Sequence, residues 1–391
     1  MIRDGRSIKL SDSLYPTHSY GGAPILIKDS SLFPLWKKVQ DGQRLTFEEG
    51  LVLFSTDDIL GLGHMANWVK EKKTGNHGFF VVNRQINPTN ICVLSCRFCD
   101  FAKKKTDPAA TVMSDDAIVA ACSPELTEVH IVSGLYSGWR FDQYLNVIHL
   151  IKANYPHIQV KAYTAVEIEF FARIEKISIK EVLEKMKAAG VVCIPGGGAE
   201  VFSERVRKAL FPFKIGARTW LDVHRTAHSI GLKSNATLLY GHMETVEERV
   251  THMLKLRELQ DETHGFLSFI PLAYQPGTTK VVERPASALD DLKTTAVSRL
   301  LLDNFVHIKA YWVTMGEQMA SVALHFGADD IDGTIGEEKI MHAARASSPV
   351  AMARERMVSL IREAGRHPIE RDALYNVVAS YDEADRVAVI P

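Results

Sequence analysis

The sequence predicts an α/β protein built around a (β/α)8 barrel of the TIM type, with helical extensions at both ends. From Val81 onward, short apolar strands alternate with helical stretches about eight times, the number of units that closes such a barrel. Connections of this length imply parallel strands joined by right-handed crossovers. A G-x-G-x-x-G motif after the first strand, typical of an open nucleotide-binding sheet, is missing. We therefore divide the chain into an N-terminal irregular and helical extension (1–77), the barrel (78–335) and a C-terminal helical extension packed on it (336–391).

The segment before the barrel is predicted to combine an irregular start with two helices. Residues 1–45 hold scattered Gly and Pro and show little periodicity, so they are predicted to be irregular. Residues 46–49 form a capping box, Thr-Phe-Glu-Glu, that predicts the start of a helix. A second helix is predicted from Asp57 to about Lys72, where apolar residues supply one face. A break containing glycine then leads into a short β-type run at residues 79–82.

Strands and helices alternate after this first strand. Strands are predicted where short runs of β-branched and apolar residues occur, and helices where apolar residues share a face. The predicted strands are residues 129–132, 158–163, 191–194, 234–240, 266–270, 308–312 and 323–326, and the predicted helices are residues 143–153, 178–189, 220–230, 246–259 and 288–302, with a last one from residue 316. From about Thr334 the chain is predicted to be helical, with a break at residues 366–368.

Three of the five cysteines lie in one loop directly after the first strand, at Cys92, Cys96 and Cys99. Thiolates at this C-x3-C-x2-C spacing can bind three irons of a cubane iron–sulfur cluster and leave the fourth iron open to another ligand. A zinc site completed by His77 or Asp100 is an alternative, but structural zinc takes four ligands and needs no open position. A disulfide requires an oxidising compartment, and a ferredoxin requires a fourth nearby cysteine. The spacing favours the open cluster over these alternatives.

Charge and hydropathy exclude several classes of partner. Lys and Arg total 46 against 47 Asp and Glu, and the sequence pI is about 7.0, so no global signal for nucleic-acid binding exists. No apolar run approaches the roughly 18 residues of a membrane span, so no membrane partner is predicted. The first six residues lack the apolar core of a signal peptide. Unpaired cysteines and an oxygen-sensitive cluster both favour a reducing, cytoplasmic location.

Candidate site residues follow from the rule that active sites of parallel barrels form at the carboxyl ends of the strands. The strand-end candidates are Ser133, Gly134, Thr164, Glu167, Gly196, Gly197, Gly198, Glu200, Tyr240, Gly241, His242, Glu244, Pro271, Tyr274, Gln275 and Thr314. Each has a plainer interpretation. Both glycine segments can simply turn the chain, Glu167 can lie on a solvated helix start, and His242 can be a core histidine. His224 and His228 are predicted to share a packing face rather than bind metal, and Lys103–Lys105 to be a solvated basic run.

The cysteine loop, with Phe98 just before its last cysteine, resembles the signature of the radical S-adenosylmethionine (SAM) enzymes. Residues 133–135, 162–168, 195–200, 224–228 and 234–245 resemble the menaquinone (futalosine) branch of that superfamily. Within the branch, the Thr-Ala-Val-Glu-Ile and His-Arg-Thr-Ala-His segments resemble the aminofutalosine synthase family more than its sister cyclase family. The resemblance runs from about Leu45 to Asn376, almost the whole chain.

This resemblance implies a [4Fe–4S] cluster on Cys92, Cys96 and Cys99, with SAM as a co-substrate bound to its open iron. It implies that Phe98 contacts the cluster or adenine, and that SAM is bound by Ser133, Gly134, Glu167, Gly196, Gly197, Gly198 and Glu200. It also implies a transferase that adds the 5′-deoxyadenosyl radical to an aryl enolpyruvyl ether, 3-[(1-carboxyvinyl)oxy]benzoate. The product would be 6-amino-6-deoxyfutalosine, and a flavodoxin or ferredoxin would supply the electron.

Catalytic residues can be assigned only by position. Glu167 is a candidate, and His242, Thr314 and Arg84 are candidates for holding the two carboxylates of the substrate. The loop after Leu135 departs from the family, which usually has a His-Pro pair there, and this leaves the substrate fit open. A dehypoxanthine futalosine cyclase is the alternative function. A non-catalytic metal or electron-transfer protein is a more remote one.

Overall fold

The computed structural model describes residues 27–336 and 338–381, so the predictions for residues 1–26 lie outside the described residues. Three helices precede the first strand: α1 (Leu32–Gln40), α2 (Phe47–Ser55) and α3 (Ile59–Thr74). The predicted capping box opens α2, with the Glu49 N–H donating to Thr46 Oγ1 and the Thr46 N–H to Glu49 Oε2. Helix α1 lies within the stretch predicted to be irregular. That prediction is wrong there, because Leu32, Leu35 and Trp36 form a buried face at helical spacing.

Nine strands build the barrel wall within the described residues. They are β1 (His77–Val81), β2 (Asn83–Ile86), β3 (Glu128–Ile131), β4 (Gln159–Ala162), β5 (Val191–Ile194), β6 (Lys233–Tyr240), β7 (Phe266–Ala273), β8 (His307–Ile308) and β9 (Asp330–Gly333). Strands β2 to β8 pair in chain order, all parallel, in one seven-stranded sheet that curls into a half-barrel. The connecting helices are α4 (Asp115–Ala120), α5 (Phe141–Asn154), α6 (Ala165–Glu175), α7 (Ile179–Ala189), α8 (Glu204–Leu210), α9 (Ala217–Ser229), α10 (Val246–Thr263), α11 (Ala288–Leu301), α12 (Trp312–Met315) and α13 (Glu317–Ala323). The predicted α/β barrel fold is confirmed.

Strand β9 occupies the gap between β8 and the first strand. The Ala310 N–H donates to Asp330 O at 2.7 Å on one side, and β1 pairs in parallel with β9 on the other. The Gln85 N–H also donates to Ile335 O at 2.7 Å. These backbone bonds make the wall TIM-like, with β1 and β2 as successive parts of one strand.

The eighth strand was predicted at the wrong place. Residues 323–326 are the end of α13 and a turn, and the strand lies at β9, whose sequence is Asp-Ile-Asp-Gly. An acidic segment does not resemble a buried strand. Here it is buried because Asp330 pairs with Arg371 at 2.6 Å and Asp332 with Lys309 at 3.1 Å.

The C-terminal region contains strands as well as the predicted helices. After α14 (Ile340–Ala343) and α15 (Arg354–Glu363) come β10 (His367–Arg371) and β11 (Val377–Ser380). Strand β10 pairs in parallel with β1, and β11 pairs antiparallel with β10, so a second sheet has the order β11-β10-β1-β9. The sheet shares β1 and β9 with the barrel wall. Residues after β10 contact the amino-terminal ends of barrel strands: Gln159 Nε2 at the start of β4 donates to Asp372 Oδ2 at 2.8 Å, and the Tyr375 ring stacks on His307 at the start of β8. No helix in the described residues is long and apolar enough to cross a membrane.

Candidate active site

A cavity of about 290 Å³ opens at the carboxyl ends of the barrel strands. Its wall brings together the predicted cluster, glycine and acidic residues, which are far apart in the sequence. They are Cys92, Cys96, Phe98, Cys99, Ser133, Gly134, Thr164, Glu167, Gly196, Gly197, Gly198, Glu200, Tyr274 and Gln275. The barrel rule and the cysteine motif therefore identified these residues of the wall from the sequence.

The cysteine loop is held from two directions. The Cys92 N–H donates to Lys103 O, and the Val93 N–H donates to Leu135 O, each at 2.9 Å. On the outer side, the Lys104 ammonium donates to the carbonyl oxygens of Cys92, Val93 and Leu94 at 3.2, 3.2 and 2.8 Å. It also reaches Ser95 Oγ at 3.0 Å. Lys104 is exposed, as predicted for a solvated run, and its ammonium also donates to the backbone of the cysteine loop.

The donor set fits a cluster better than a single metal ion. Within the described residues, no three His, Cys, Asp or Glu side chains converge as one metal ion requires. His77 donates from Nδ1 to Thr74 O at 2.7 Å, and Asp100 accepts from the Thr278 N–H at 2.9 Å, so neither completes a zinc site. A cubane instead takes one thiolate at each of three separate irons. The three cysteines at one cavity edge suit that arrangement.

Burial favours the protonated thiol at two of these cysteines. It raises the pKa of the Cys96 thiol to about 11 and also raises the pKa of Cys99. A cluster binds the thiolate form of cysteine, so its binding must displace the thiol protons. The affinity of the protein for the cluster must therefore rise with pH.

Lys214 lines the cavity but was not among the residues predicted from the sequence. Its ammonium forms an ion pair with Glu200 and lies 5.1 Å from the centre of the Phe98 ring. Burial opposes the charge, yet the Glu200 carboxylate raises the pKa of Lys214 well above its usual value. The side chain is therefore cationic. It is a lone lysine 14 residues after Glu200, and no motif marks it.

Glu167 joins two strand ends. Its Oε1 accepts from the Ser133 N–H at 2.7 Å, and its Oε2 accepts from the N–H and Oγ1 of Thr164 at 2.7 and 2.8 Å. The residue is buried, so the solvated interpretation is excluded. Burial raises the pKa of Glu167 to about 7, although the hydrogen bonds oppose this. Ser133 Oγ is buried and has no partner in the described residues, so it remains available to a ligand.

Two of the four glycines at the site are required by neighbouring backbone. A Cβ at Gly134 would lie 2.3 Å from Ile91 O, so this glycine lets the cysteine loop pack against the end of β3. A Cβ at Gly196 would lie 2.5 Å from Ala236 Cα on β6. Gly198 has φ +91°, a conformation that side chains disfavour, whereas Gly197 has neither constraint. Close packing thus explains Gly134 and Gly196 without reference to a ligand.

Seven of the candidates lie outside the cavity wall, namely Arg84, Tyr240, Gly241, His242, Glu244, Pro271 and Thr314. His242 donates from Nε2 to Leu239 O at 3.0 Å and accepts from the Met243 N–H at 2.7 Å, so its ring is used within the loop after β6. Thr314 Oγ1 donates to Tyr311 O at 3.3 Å, and Arg84 also lies outside the cavity wall. These residues are thus not part of the cavity wall, and a role for them in substrate binding stays a prediction.

The two helix histidines follow the packing prediction. His224 Nδ1 and His228 Nε2 both lie 2.8 Å from Ser234 Oγ on β6. The His228 ring also packs on Phe266, with 4.9 Å between ring centres. Both rings thus fix α9 against the barrel.

The residues that line the deep end of the cavity were not predicted from the sequence. They are Asn83, Gln85, His130, Lys161, Asn235 and Asp332, which lie within strands and not after them. Barrel interiors are usually filled by bulky apolar side chains. One signal for these residues was present in the sequence. His130 lies between Val129 and Ile131, and because side chains alternate along a strand it faces the side of the sheet opposite to both.

Comparison with known proteins adds to this geometry. The model of the Radical SAM superfamily matches residues 86–256, and that of the CofH/MqnC C-terminal region matches residues 263–383. Aminodeoxyfutalosine synthase of Thermus thermophilus is 44% identical over 92% of this chain and 99% of its own. Cyclic dehypoxanthine futalosine synthase of Streptomyces coelicolor is 32% identical over 92% of each chain. The crystal structure of methylornithine synthase matches with a TM-score of 0.67 over 85% of this chain and 95% of that one, at 16% identity, which supports the fold alone.

Proposed function

The chain belongs to the aminodeoxyfutalosine synthase family of radical SAM enzymes, and we propose that it transfers the 5′-deoxyadenosyl group of SAM to 3-[(1-carboxyvinyl)oxy]benzoate. The product would be 6-amino-6-deoxyfutalosine, an intermediate of menaquinone biosynthesis. The observation that carries this proposal is the 44% identity that extends over 99% of the Thermus thermophilus synthase. It includes both the barrel and the C-terminal region.

Each part of the cavity has a role in this reaction. Cys92, Cys96 and Cys99 would hold a [4Fe–4S] cluster, which when bound supplies the electron that releases the adenosyl group from SAM. Ser133, with its free hydroxyl, and the Glu167 carboxylate would meet the polar groups of SAM at the mouth.

The cavity wall also protects the reaction from solvent. Leu239, Ile270 and Leu272 line it between the mouth and the deep end. A dry wall of this kind limits side reactions of a radical and strengthens the electrostatic contacts inside. The chain would therefore orient the two reactants and exclude water, while the chemistry of bond cleavage belongs to the cluster and SAM.

The cyclase is the second candidate function, and it has less support. Its Streptomyces coelicolor representative is 32% identical to this chain, against 44% for the synthase. The segments at residues 164–168 and 224–228 also resemble the synthase. In the structure, the first segment carries Glu167 into the cavity wall, whereas the second fixes α9 from outside the cavity.

Anaerobic turnover separates these candidates. The reconstituted protein is reduced with dithionite, given SAM and either the enolpyruvyl benzoate or dehypoxanthine futalosine, and its products are identified by mass spectrometry. A synthase incorporates the adenosyl group into 6-amino-6-deoxyfutalosine, whereas a cyclase releases free 5′-deoxyadenosine. If the protein cleaves SAM but converts neither substrate to product, both functions are contradicted. The Cys96→Ala variant is the control, and flavodoxin or ferredoxin in place of dithionite tests the proposed electron donor.

A further inference from the structure

Cationic side chains are scarce in the cavity. Among the described residues of its wall, they are Lys161 and Lys214. Lys214 lies at the mouth, where it pairs with Glu200 beside Phe98. Lys161 lies inside the barrel with 3% of its side chain exposed. It is therefore the cation available to a ligand at the deep end.

Strand register places other polar groups beside Lys161. His130 on β3 is the register partner of Lys161 on β4, so the two side chains lie on the same face of the sheet. Asn235 reaches the same cavity from the third position of β6, five residues before that strand ends. Three strands thus present polar groups well below the mouth.

These groups have hydrogen-bonding capacity that the protein does not use. An ammonium has three donors, and Lys161 gives one to Glu128 Oε1 at 2.6 Å. His130 Nε2 is buried and has no partner in the described residues. Asn235 Oδ1 accepts from Ser268 Oγ at 2.9 Å, and no bond from its Nδ2 to another described group is seen. Because buried polar groups are normally satisfied, these unused groups indicate a polar ligand. The Lys161 ammonium and the Asn235 Nδ2 can only donate to it, and His130 Nε2 donates in its Nε2–H tautomer.

The charges around this end are already balanced. Glu128 neutralises Lys161 and also accepts from Asn83 Nδ2 at 2.9 Å, while Asp332 is neutralised by Lys309 at 3.1 Å. Burial lowers the pKa of His130 to about 3, so its imidazole is neutral. The site therefore offers donors from three strands of one cavity and no excess of charge, and Glu128 Oε2 beside Lys161 is an acceptor that also has no partner in the described residues. Convergent N–H groups suit a carboxylate, since its two oxygens accept several hydrogen bonds.

The substrate of the proposed function has two carboxylates at opposite ends. Its enolpyruvyl end must meet the adenosyl group, which arrives at the cysteines of the mouth. The carboxylate on the aromatic ring then points away from the cysteines, toward the deep end. We propose that His130, Lys161 and Asn235 bind this ring carboxylate and thereby select a benzoate as the acceptor. This inference rests on the proposed function.

The test compares two ligands on the reconstituted, unreduced enzyme with SAM, where no turnover occurs. One ligand is the enolpyruvyl benzoate, and the other is 2-phenoxyprop-2-enoate, which lacks the ring carboxylate. We expect the wild type to bind the benzoate roughly tenfold to a hundredfold more tightly by calorimetry, as hydrogen bonds to a charged group require. Equal affinity for the two ligands in the wild type would overturn the inference.

Three variants assign the site. His130→Leu removes one donor, and the double variant Lys161→Met, Glu128→Gln removes the ammonium together with its counter-charge, so no lone charge is buried. Asn235→Asp keeps the shape and adds a repelling carboxylate. Each should lose most of the preference for the benzoate while 2-phenoxyprop-2-enoate and SAM bind as before. Variants that keep normal iron content and the full preference would contradict the site.

Failure of this inference is distinguishable from failure of the proposed function. If the wild type forms 6-amino-6-deoxyfutalosine but the variants retain the preference, the function stands and the deep site is wrong. If the wild type forms no such product, the function itself fails.

Discussion

The Lys104 ammonium lies 2.8 Å from the Leu94 carbonyl oxygen, and two preceding carbonyls of the cysteine loop converge on the same group. Carbonyl oxygens gathered on one cation resemble the carboxyl end of a helix bound by a lysine. The contact fixes the path of the chain between Cys92 and Cys96. The loop is thus held by a side chain outside it as well as by its own residues.

Removing this contact should loosen the cluster. We expect Lys104→Gln to release iron to a chelator up to about tenfold faster than the wild type, because charge-assisted hydrogen bonds to the loop are lost. Lys105→Gln is the matched control: it removes an equal charge from the next residue, whose ammonium faces the Tyr136 ring. Loss of the cluster absorbance measures both rates. Equal rates in the two variants would contradict the role of Lys104.

Glu167 should make stability depend on pH in a defined direction. Its pKa rises from 4.5 to about 7 because the carboxyl is buried. Between these values the folded protein holds a proton that the unfolded chain has lost, so this residue lowers the unfolding free energy as pH rises. We expect the difference between Glu167→Gln and wild type to change with a slope of at most about 1.4 kcal/mol per pH unit. Urea unfolding of the SAM-free proteins at pH 5 and pH 7.5 measures this difference. If the difference is the same at both pH values, the raised pKa of Glu167 is contradicted.

Neighbouring glycines after β5 should respond differently to the same substitution. Gly196→Ala forces a Cβ against the backbone of Ala236 and should cost about 1–3 kcal/mol, since overpacking shifts the strand. At Gly197 the nearest atom to a new Cβ would be Thr164 Cγ2 at 3.3 Å, a side-chain methyl that can move by a few tenths of an ångström. Gly197→Ala should therefore stay within about 1 kcal/mol of wild type. Thermal unfolding measures both variants. A Gly197→Ala variant less stable than Gly196→Ala would refute the packing argument.

The buried ion pair between Arg371 and Asp330 should hold the C-terminal sheet to the barrel. Both side chains are fully enclosed and 2.6 Å apart. Arg371→Met leaves Asp330 buried without its partner and should cost about 3–5 kcal/mol. The double variant Arg371→Met, Asp330→Asn removes both charges and should recover much of that loss. Denaturant unfolding measures the two variants, and a double variant no more stable than the single one would contradict this interpretation.

Much of the fold and half of the site could be predicted because their signals are local. The capping boxes of α2 and α7, the Cys92–Cys99 spacing and the glycines after β5 are read within a few residues of the chain. The barrel rule then placed the residues that follow each strand at one cavity mouth. It also included His242 and Thr314, since position after a strand does not determine where a side chain points.

The sequence by itself determined the barrel, its cysteine loop and the mouth of the cavity, because helical and strand periodicity and short motifs act over neighbouring residues. Only the tertiary structure decided the rest. Strand β9 is acidic and becomes buried through Arg371, which lies 41 residues further along the chain than Asp330. His130, Lys161 and Asn235 likewise line one cavity because three strands curl around one axis. Such contacts depend on charge compensation and register between distant segments, which no local pattern records.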